Sequence, residues 1–327
     1  MPRRSIRAFA LVAIATLLPS LGHAQSWPTR PVTMVVPFAA GGPMDVVGRL
    51  MAGSLSETLG QQVVIENVGG GGGMTGALRV AKATPDGYQF VLGNVGTHAV
   101  SQSLSKHPPY KVSADFAPVA LIADLSLVLV ARKDLPAGNL QEFTAYAKAN
   151  QDKMQFGSAS AGSATHLGCA LLNAAIGVNV THIPYRGGAP AMQDLVGGRI
   201  DYLCIDTPIA IPLIESGQIK ALAILTRFRS ASLPNLPSAQ EQGLAGFEAT
   251  NWAAFFTPKA TPAAVVARLQ AASAAAIGSD TVQRRMKEIG VDPVTPERRS
   301  SDYLASFVEA EIAKWAGPVK ASGLATD

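Results

Sequence analysis

Four short stretches of this chain combine glycine, alanine and hydroxyl side chains in a way that could do chemistry. The first, Pro37 to Asp45, carries Phe38, Ala39, Ala40, Gly41 and Gly42. The second, Gly157 to His166, carries Ser158, Ser160, Ser163, Thr165 and His166. A third runs from Tyr185 to Pro190 through Gly188 and Ala189, and a fourth from Gly93 to His98. Each falls where a short β-branched run hands over to an amphipathic one, the position at which open α/β sheets bind ligands. Small residues there let a ligand reach unpaired backbone N–H groups at the positive end of a helix, which favours an anion. The hydroxyls add donors suited to a carboxylate. Taken singly, each stretch is also an ordinary tight turn, and their recurrence at equivalent places is the informative feature. Asp45 is the odd member: in the first turn of a helix it either caps that helix or competes with an anionic ligand.

Enzyme motifs fail in context. Gly71-Gly72-Gly73-Met74-Thr75-Gly76 satisfies the dinucleotide spacing, yet a run of five glycines satisfies almost any glycine pattern. The acid that should follow about 20 positions on is missing, Asp86 coming too early and Asp115 too late. Ser158-Ala159-Ser160-Ala161-Gly162 imitates a hydrolase nucleophile elbow, which needs an acid and then a histidine downstream. The last histidine is His182, and residues 161 to 182 contain no acid. A hydrolase using Ser160 with partners in another order stays the competing class. His98, His107, His166 and His182 lack metal-ligand spacing, and of these His166, at a helix start, is kept as a ligand-contact candidate. No cofactor, no metal and no catalytic residue is expected.

The elements that must hold these loops follow from hydrophobic period. Strands are expected at Val32 to Phe38, Gln62 to Glu66, Tyr88 to Leu92 and Ser126 to Ala131, with a helix from Met44 to Leu59 stopped by Gly60. A second run follows, its first helix capped by Asn139 with Glu142 at capping-box spacing. Strand Met154 to Ser158, helix Thr165 to Ile176, strand Val180 to Ile183, helix Ala189 to Leu195, and strands Ile200 to Ile205 and Ile219 to Leu225 complete it. After strand Thr250 to Phe256 only helices are expected: Pro262 to Ile277, Asp280 to Ile289 and Ser301 to Trp315. This order predicts an α/β chain whose helical tail returns to cover its first lobe, with a two-strand hinge near Ala123 to Leu127 and Glu248 to Trp252.

The N-terminus reads as an export signal over residues 1–24: Arg3, Arg4 and Arg7, an apolar stretch from Ala8 to Leu18, and small residues ending at Ala24. Cleavage near Ala24 places the chain in the periplasm. With no cysteine there for lipid attachment, the mature chain should float free. Removing the leader's three arginines lowers the formal charge from +4 to +1, so the basic balance is no argument for nucleic acid. The remaining length, about 300 residues, suits two domains. Cys169 and Cys204 could pair in an oxidising compartment, although small buried free cysteines in a helix and a strand are the commoner case.

Longer segments carry a family resemblance. PFAAGGPMDVVGRLMA, VVIENVGGGGGMTGA, PDGYQFVLG, DFAPVALIA, GSASAGSATHLG, HIPYRGGAPAMQDLVGGRID and LPNLPSAQEQGLAGFEATNWAAFFTP resemble, in order, the Bug family, the substrate-binding proteins of tripartite tricarboxylate transporters. The resemblance implies a type II periplasmic-binding-protein fold, each lobe a central mixed sheet flanked by helices. Residues 25–125 plus 251–327 would form lobe 1 and 126–250 lobe 2. It further implies a small carboxylate-bearing ligand (an organic acid, amino acid or aromatic acid) held by the Phe38 to Gly42 and Ser158 to His166 loops, often through ordered waters. The protein would be a monomer handing its ligand to membrane transporter subunits, with a signalling role as an alternative. The distal end of the ligand is expected to meet Asp206, Thr207, Thr97, His98 and Trp252. Asp206 either reads an amino or amide group or caps the helix beginning at Pro208, and Trp252 either stacks a ring or packs the hinge.

Overall fold

The computed structural model describes residues 27–321, so the leader and its cleavage point lie outside the described residues. Strand β1 (Val32–Val36) is almost wholly buried because it lies inside its sheet, parallel to both neighbours. Helix α1 (Pro43–Leu59) starts on Pro43, whose missing N–H costs nothing in a first turn, and stops at left-handed Gly60. Then come β2 (Val63–Asn67), α2 (Met74–Ala81), β3 (Gln89–Asn94), the single turns α3 (Val95–His98) and α4 (Val112–Asp115), and β4 (Phe116–Arg132).

The middle of the chain gives α5 (Leu140–Asn150), β5 (Gln155–Ser158), α6 (Ala164–Ile176), β6 (Thr181–Pro184), α7 (Gly188–Val196), β7 (Tyr202–Asp206), α8 (Thr207–Glu215) and β8 (Ile219–Ile224). The last part is β9 (Thr250–Pro258), α9 (Ala263–Gly278), α10 (Asp280–Glu288), β10 (Val291–Pro293) and α11 (Ser301–Ala321). Asn139 does cap α5, accepting from the Glu142 amide, but the Glu142 carboxylate reaches back to Gly138 rather than to the cap residue.

The strands run β2-β1-β3-β9-β4-β7-β5-β6, with β8 and β10 also on β4. β4 belongs to two sheets: Phe116 to Ser126 pair antiparallel with β9, and Leu127 to Arg132 with β7 and β8. Around these sheets the buried apolar side chains gather into one large cluster, drawn mostly from 32–125 and 252–319, and two smaller ones drawn from 127–249. The chain crosses between the sheets where Leu125 faces Asn251 and Ser126 faces Thr250.

Three expectations change. β4 begins at Phe116, well before Ser126, because the features that break its pattern are absorbed: the register shifts beyond Pro118, and Asp124 is paired with Arg298 at 3.0 Å. The tail is not all helix either, since β10 adds to β4 through three residues too few to show a period. Cys169 and Cys204 are joined by a disulfide between α6 and β7, with their Cα atoms 5.3 Å apart, where unpaired burial was the commoner expectation.

Candidate functional site

Helix starts from both sheets meet at one cavity. Its volume is about 20 Å³, room for about one water molecule with the lobes as they stand, and it is lined by Phe38, Pro43 and Met44 at the start of α1, and by Ala159, Ser163, Ala164 and Thr165 at the start of α6. Gly188 opens α7, Asp206 precedes α8, and Asn94 precedes α3; all three line it too. The first-turn amides of a helix have no carbonyl four residues earlier to bond, and their dipoles add. Three long helices thus present positive ends to one buried space, an arrangement that suits an anion.

The first loop is shaped by Asp45. Its buried carboxylate accepts from the Gly41 amide (2.8 Å), from Arg49 Nε (2.8 Å) and from Asn67 Nδ2 (2.9 Å), while Asn67 also donates to the Phe38 carbonyl. These bonds hold the carboxyl below its ordinary value although burial works against them. Asp45 is therefore neither a plain cap nor a ligand contact: it occupies the Gly41 N–H and fixes the turn. Ala39, Gly41 and Gly42 pack on the third loop, where a Cβ on Gly187 would fall 2.6 Å from Ala39 Cβ and one on Gly41 3.7 Å from Ala189 Cβ. Ala40 and Gly41 are exposed at the rim.

The second loop is tied through its own hydroxyls. Ser163 caps α6, accepting from the His166 amide, and its hydroxyl donates to the Ser160 carbonyl at 2.7 Å. Thr165 Oγ1 accepts from the Ala159 amide, and Ser158 lies 3.0 Å from the Ser160 carbonyl and 2.7 Å from His182 Nε2. Ser160 turns its hydroxyl to the other sheet and accepts from the Gly72 amide at 3.0 Å. Gly70 to Gly73 all have positive φ, which glycine alone adopts readily in succession, and a Cβ on Gly72 would lie 2.7 Å from the Ala161 carbonyl. The glycine run is thus an interlobe contact.

Of the expected contacts, Phe38, Ser163, Thr165, Gly188 and Asp206 line the cavity; Ala39, Ala40, Gly41, Gly42, Ser158, Ser160, His166 and Ala189 shape or back its loops without lining it, and four more are held elsewhere. The Thr97 hydroxyl accepts from the Asn94 amide in a capping box, so Asn94 lines the space instead. His98 is fully buried and stacked on Phe256 at 3.9 Å, and burial holds it down to about 3. Thr207 donates to the Gly290 carbonyl at 2.6 Å. Trp252 is buried, its indole donating to Glu311, which also receives Trp315; this is the packing role of the two considered. Sequence reasoning passed over Asn94, although its spacing to Thr97 at a strand end is itself a capping signal.

Asp206 lines the cavity and makes no side-chain cap to α8. It accepts from Asn251 Nδ2 at 2.8 Å, where the chain crosses between sheets, and burial pushes its carboxyl up to about 6. A carboxylate beside helix starts that suit an anion would be complemented by a hydrogen-bond donor rather than by a second acid. Among the described residues no group of three or more His, Cys, Asp or Glu side chains could hold a metal ion.

Two sheet-based lobes, two crossing strands and a cavity between them ringed by helix N-termini define a type II periplasmic binding protein. Residues 47–324 match the model of the tripartite tricarboxylate transporter family receptor, and the chain belongs to that family, which includes the Bug proteins. The solved structure of the periplasmic binding protein BugD is 40% identical with a TM-score of 0.89, covering 92% of this chain and 100% of its own. MatC from Rhodopseudomonas palustris, solved with bound malate, is 39% identical with a TM-score of 0.87, over 90% of this chain and 100% of its own. The R. palustris protein Rpa4515, solved with adipate, is 37% identical with a TM-score of 0.87, over 91% and 98%.

Proposed function

We propose that this protein captures a small dicarboxylate, or a similar carboxylate-bearing metabolite, between its lobes and delivers it to the membrane subunits of a tripartite tricarboxylate-type transporter. One observation carries the reading: the first residues of α1, α6 and α7 line one cavity, so first-turn amides from both lobes converge on it. The malate and adipate bound by two relatives of like fold support the ligand class. Closure follows from differential affinity, since a ligand that contacts both lobes binds the closed form more tightly and shifts the population. No covalent step is required. Asp206 reads a hydroxyl, amide or amino group at the ligand's far end, and Asn94 offers its side-chain amide beside it. Residues 25–125 with 251–327 act as one lobe and 126–250 as the other, in a periplasmic monomer cleaved near Ala24.

Thermal denaturation against a panel of malate, adipate, amino acids, their amides and aromatic acids tests the reading, because a ligand of the folded state raises the midpoint by mass action. At least one carboxylate should raise it, with no turnover of carboxylic esters. A flat panel would overturn it, and ester hydrolysis lost in Ser160→Ala would replace it with a periplasmic hydrolase.

A further inference from the structure

We infer that His166 and His182 are positioning residues: stacked on each other in a separate cavity of lobe 2, they hold the ligand loop 158–163 from behind. The inference rests on the carboxylate-receptor reading only for its effect on affinity. The two imidazoles lie 3.8 Å apart and within 8° of parallel, and Phe156 stacks on His182 at 4.8 Å. Neither ring lines the interlobe space; both face a second cavity with Asn173, Asn179 and apolar neighbours, and no carboxylate or cation is among its lining residues. Tyr202 is the ionisable residue next beyond, stacked on Phe156 and donating its hydroxyl to Asn173.

Each ring grips the loop by one nitrogen. His166 Nδ1 accepts from the Gly162 amide at 3.0 Å, so its proton sits on Nε2. Ser158 has a single proton; given to the Ser160 carbonyl, it leaves Ser158 Oγ to accept from His182 Nε2–H. That pattern sets no lone pair against another. It also links the stack to closure, because Ser160 is the residue whose hydroxyl receives the Gly72 amide of lobe 1. Both rings are held neutral by burial, His166 to about 3 with a contribution from His182, and His182 to about 4. Neutrality is what the geometry needs: two imidazolium rings in face contact repel, and a proton on His166 Nδ1 would meet the Gly162 N–H.

Phenylalanine keeps the stack and removes the nitrogens, whereas asparagine at 166 and glutamine at 182 restore a polar atom near Nδ1 and Nε2. Amide hydrogen exchange in the ligand-free protein should quicken over 158–163 in His166→Phe and His182→Phe, and return toward wild type in His166→Asn and His182→Gln. Malate or adipate affinity should fall about tenfold in each phenylalanine variant, the scale of one lost hydrogen bond, and recover with the polar replacements. Imidazole nitrogen shifts of the wild-type protein at pH 7 should show both rings neutral, with His166 protonated at Nε2, a result that does not depend on a variant folding. Unchanged exchange in the phenylalanine variants, or a His166 ring carrying its proton at Nδ1, overturns the inference. If wild-type protein binds no carboxylate, the functional reading fails, while exchange and nitrogen shifts still decide the role of the pair.

Discussion

The backbone amide of Gly72 donates to the hydroxyl of Ser160 at 3.0 Å, joining residues 88 positions apart and closing one lobe on the other. The contact exists because Gly72 has a φ of +69° and no Cβ, so its N–H can approach the second loop without meeting the Ala161 carbonyl.

Gly72→Ala therefore brings a methyl group to 2.7 Å from that carbonyl and should hold the lobes apart. Calorimetry should show ligand affinity falling by more than tenfold, and small-angle scattering a larger radius with ligand present. Ser160→Ala, which leaves one amide unpaired, should cost about 1 kcal/mol, a several-fold loss.

Ala164 is the first residue of α6 and lines the cavity. A carboxylate there suits the helix start, contributing up to about 1 kcal/mol, but it fills the space meant for the ligand anion. Ala164→Asp should fold with its lobes held open, so that the new carboxylate stays hydrated, and bind no carboxylate in a thermal-shift assay; retained binding would move the site elsewhere.

Replacing Asp206 by asparagine keeps a partner for Asn251 and removes the acid. Ligands whose far end offers a hydroxyl, amide or amine should weaken by about 1.5–3 kcal/mol, the range for losing a hydrogen bond to a charged group, while a plain dicarboxylate holds or gains. Comparing malate with succinate by calorimetry reads the difference directly.

The Cys169–Cys204 bridge closes a separation of 35 residues within lobe 2. Constraint of the unfolded chain by a loop of that length amounts to about 4 kcal/mol in the chain-entropy model. Cys169→Ala with Cys204→Ala should lower the melting midpoint by roughly 10 °C, and a reductant should reproduce the shift in the wild type.

Acid should destabilise the fold in a defined window. Burial depresses His98 and His166 to about 3 and His182 to about 4, against an ordinary value of 6.5. Between those limits the unfolded chain binds more protons, so stability is present above pH 6.5 and is lost as pH falls toward the folded values. The loss is at most about 1.4 kcal/mol per pH unit for each histidine. Asp206, raised to about 6 from 3.8, runs the other way, taking a proton in the folded state first and adding stability between pH 6 and 3.8. Three groups against one give a net loss. Melting midpoints from pH 7.5 to 4.5 should fall, and more steeply in Asp206→Asn; a flat profile would contradict the burial of the three rings.

Local pattern carried most of the elements. The apolar face of α1, its Pro43 start and Gly60 stop, the Asn139 cap and the strand-to-helix order were legible because each depends on residues within a few positions. The long β4 was cut short because Pro118 and Asp124 look like breaks until a register shift and Arg298 accommodate them. The lining of the cavity was legible in part. The loops beginning at Phe38, Ser158 and Gly188 contribute lining residues, but within the fourth loop Asn94 takes the place expected for Thr97 and His98. Pattern identifies a loop; it does not say which of two neighbours turns inward.

What the amino-acid order determined alone is the set of helix starts with small residues before them, hence the capacity to bind an anion, because capping and glycine conformation are settled within one turn. Only the tertiary structure decided that these starts share a cavity and that Gly72 meets Ser160. It alone paired Asp206 with Asn251, 45 residues away, and stacked His166 on His182. Those contacts join positions far apart in the chain, and their partners are chosen by how the lobes pack rather than by any spacing along it.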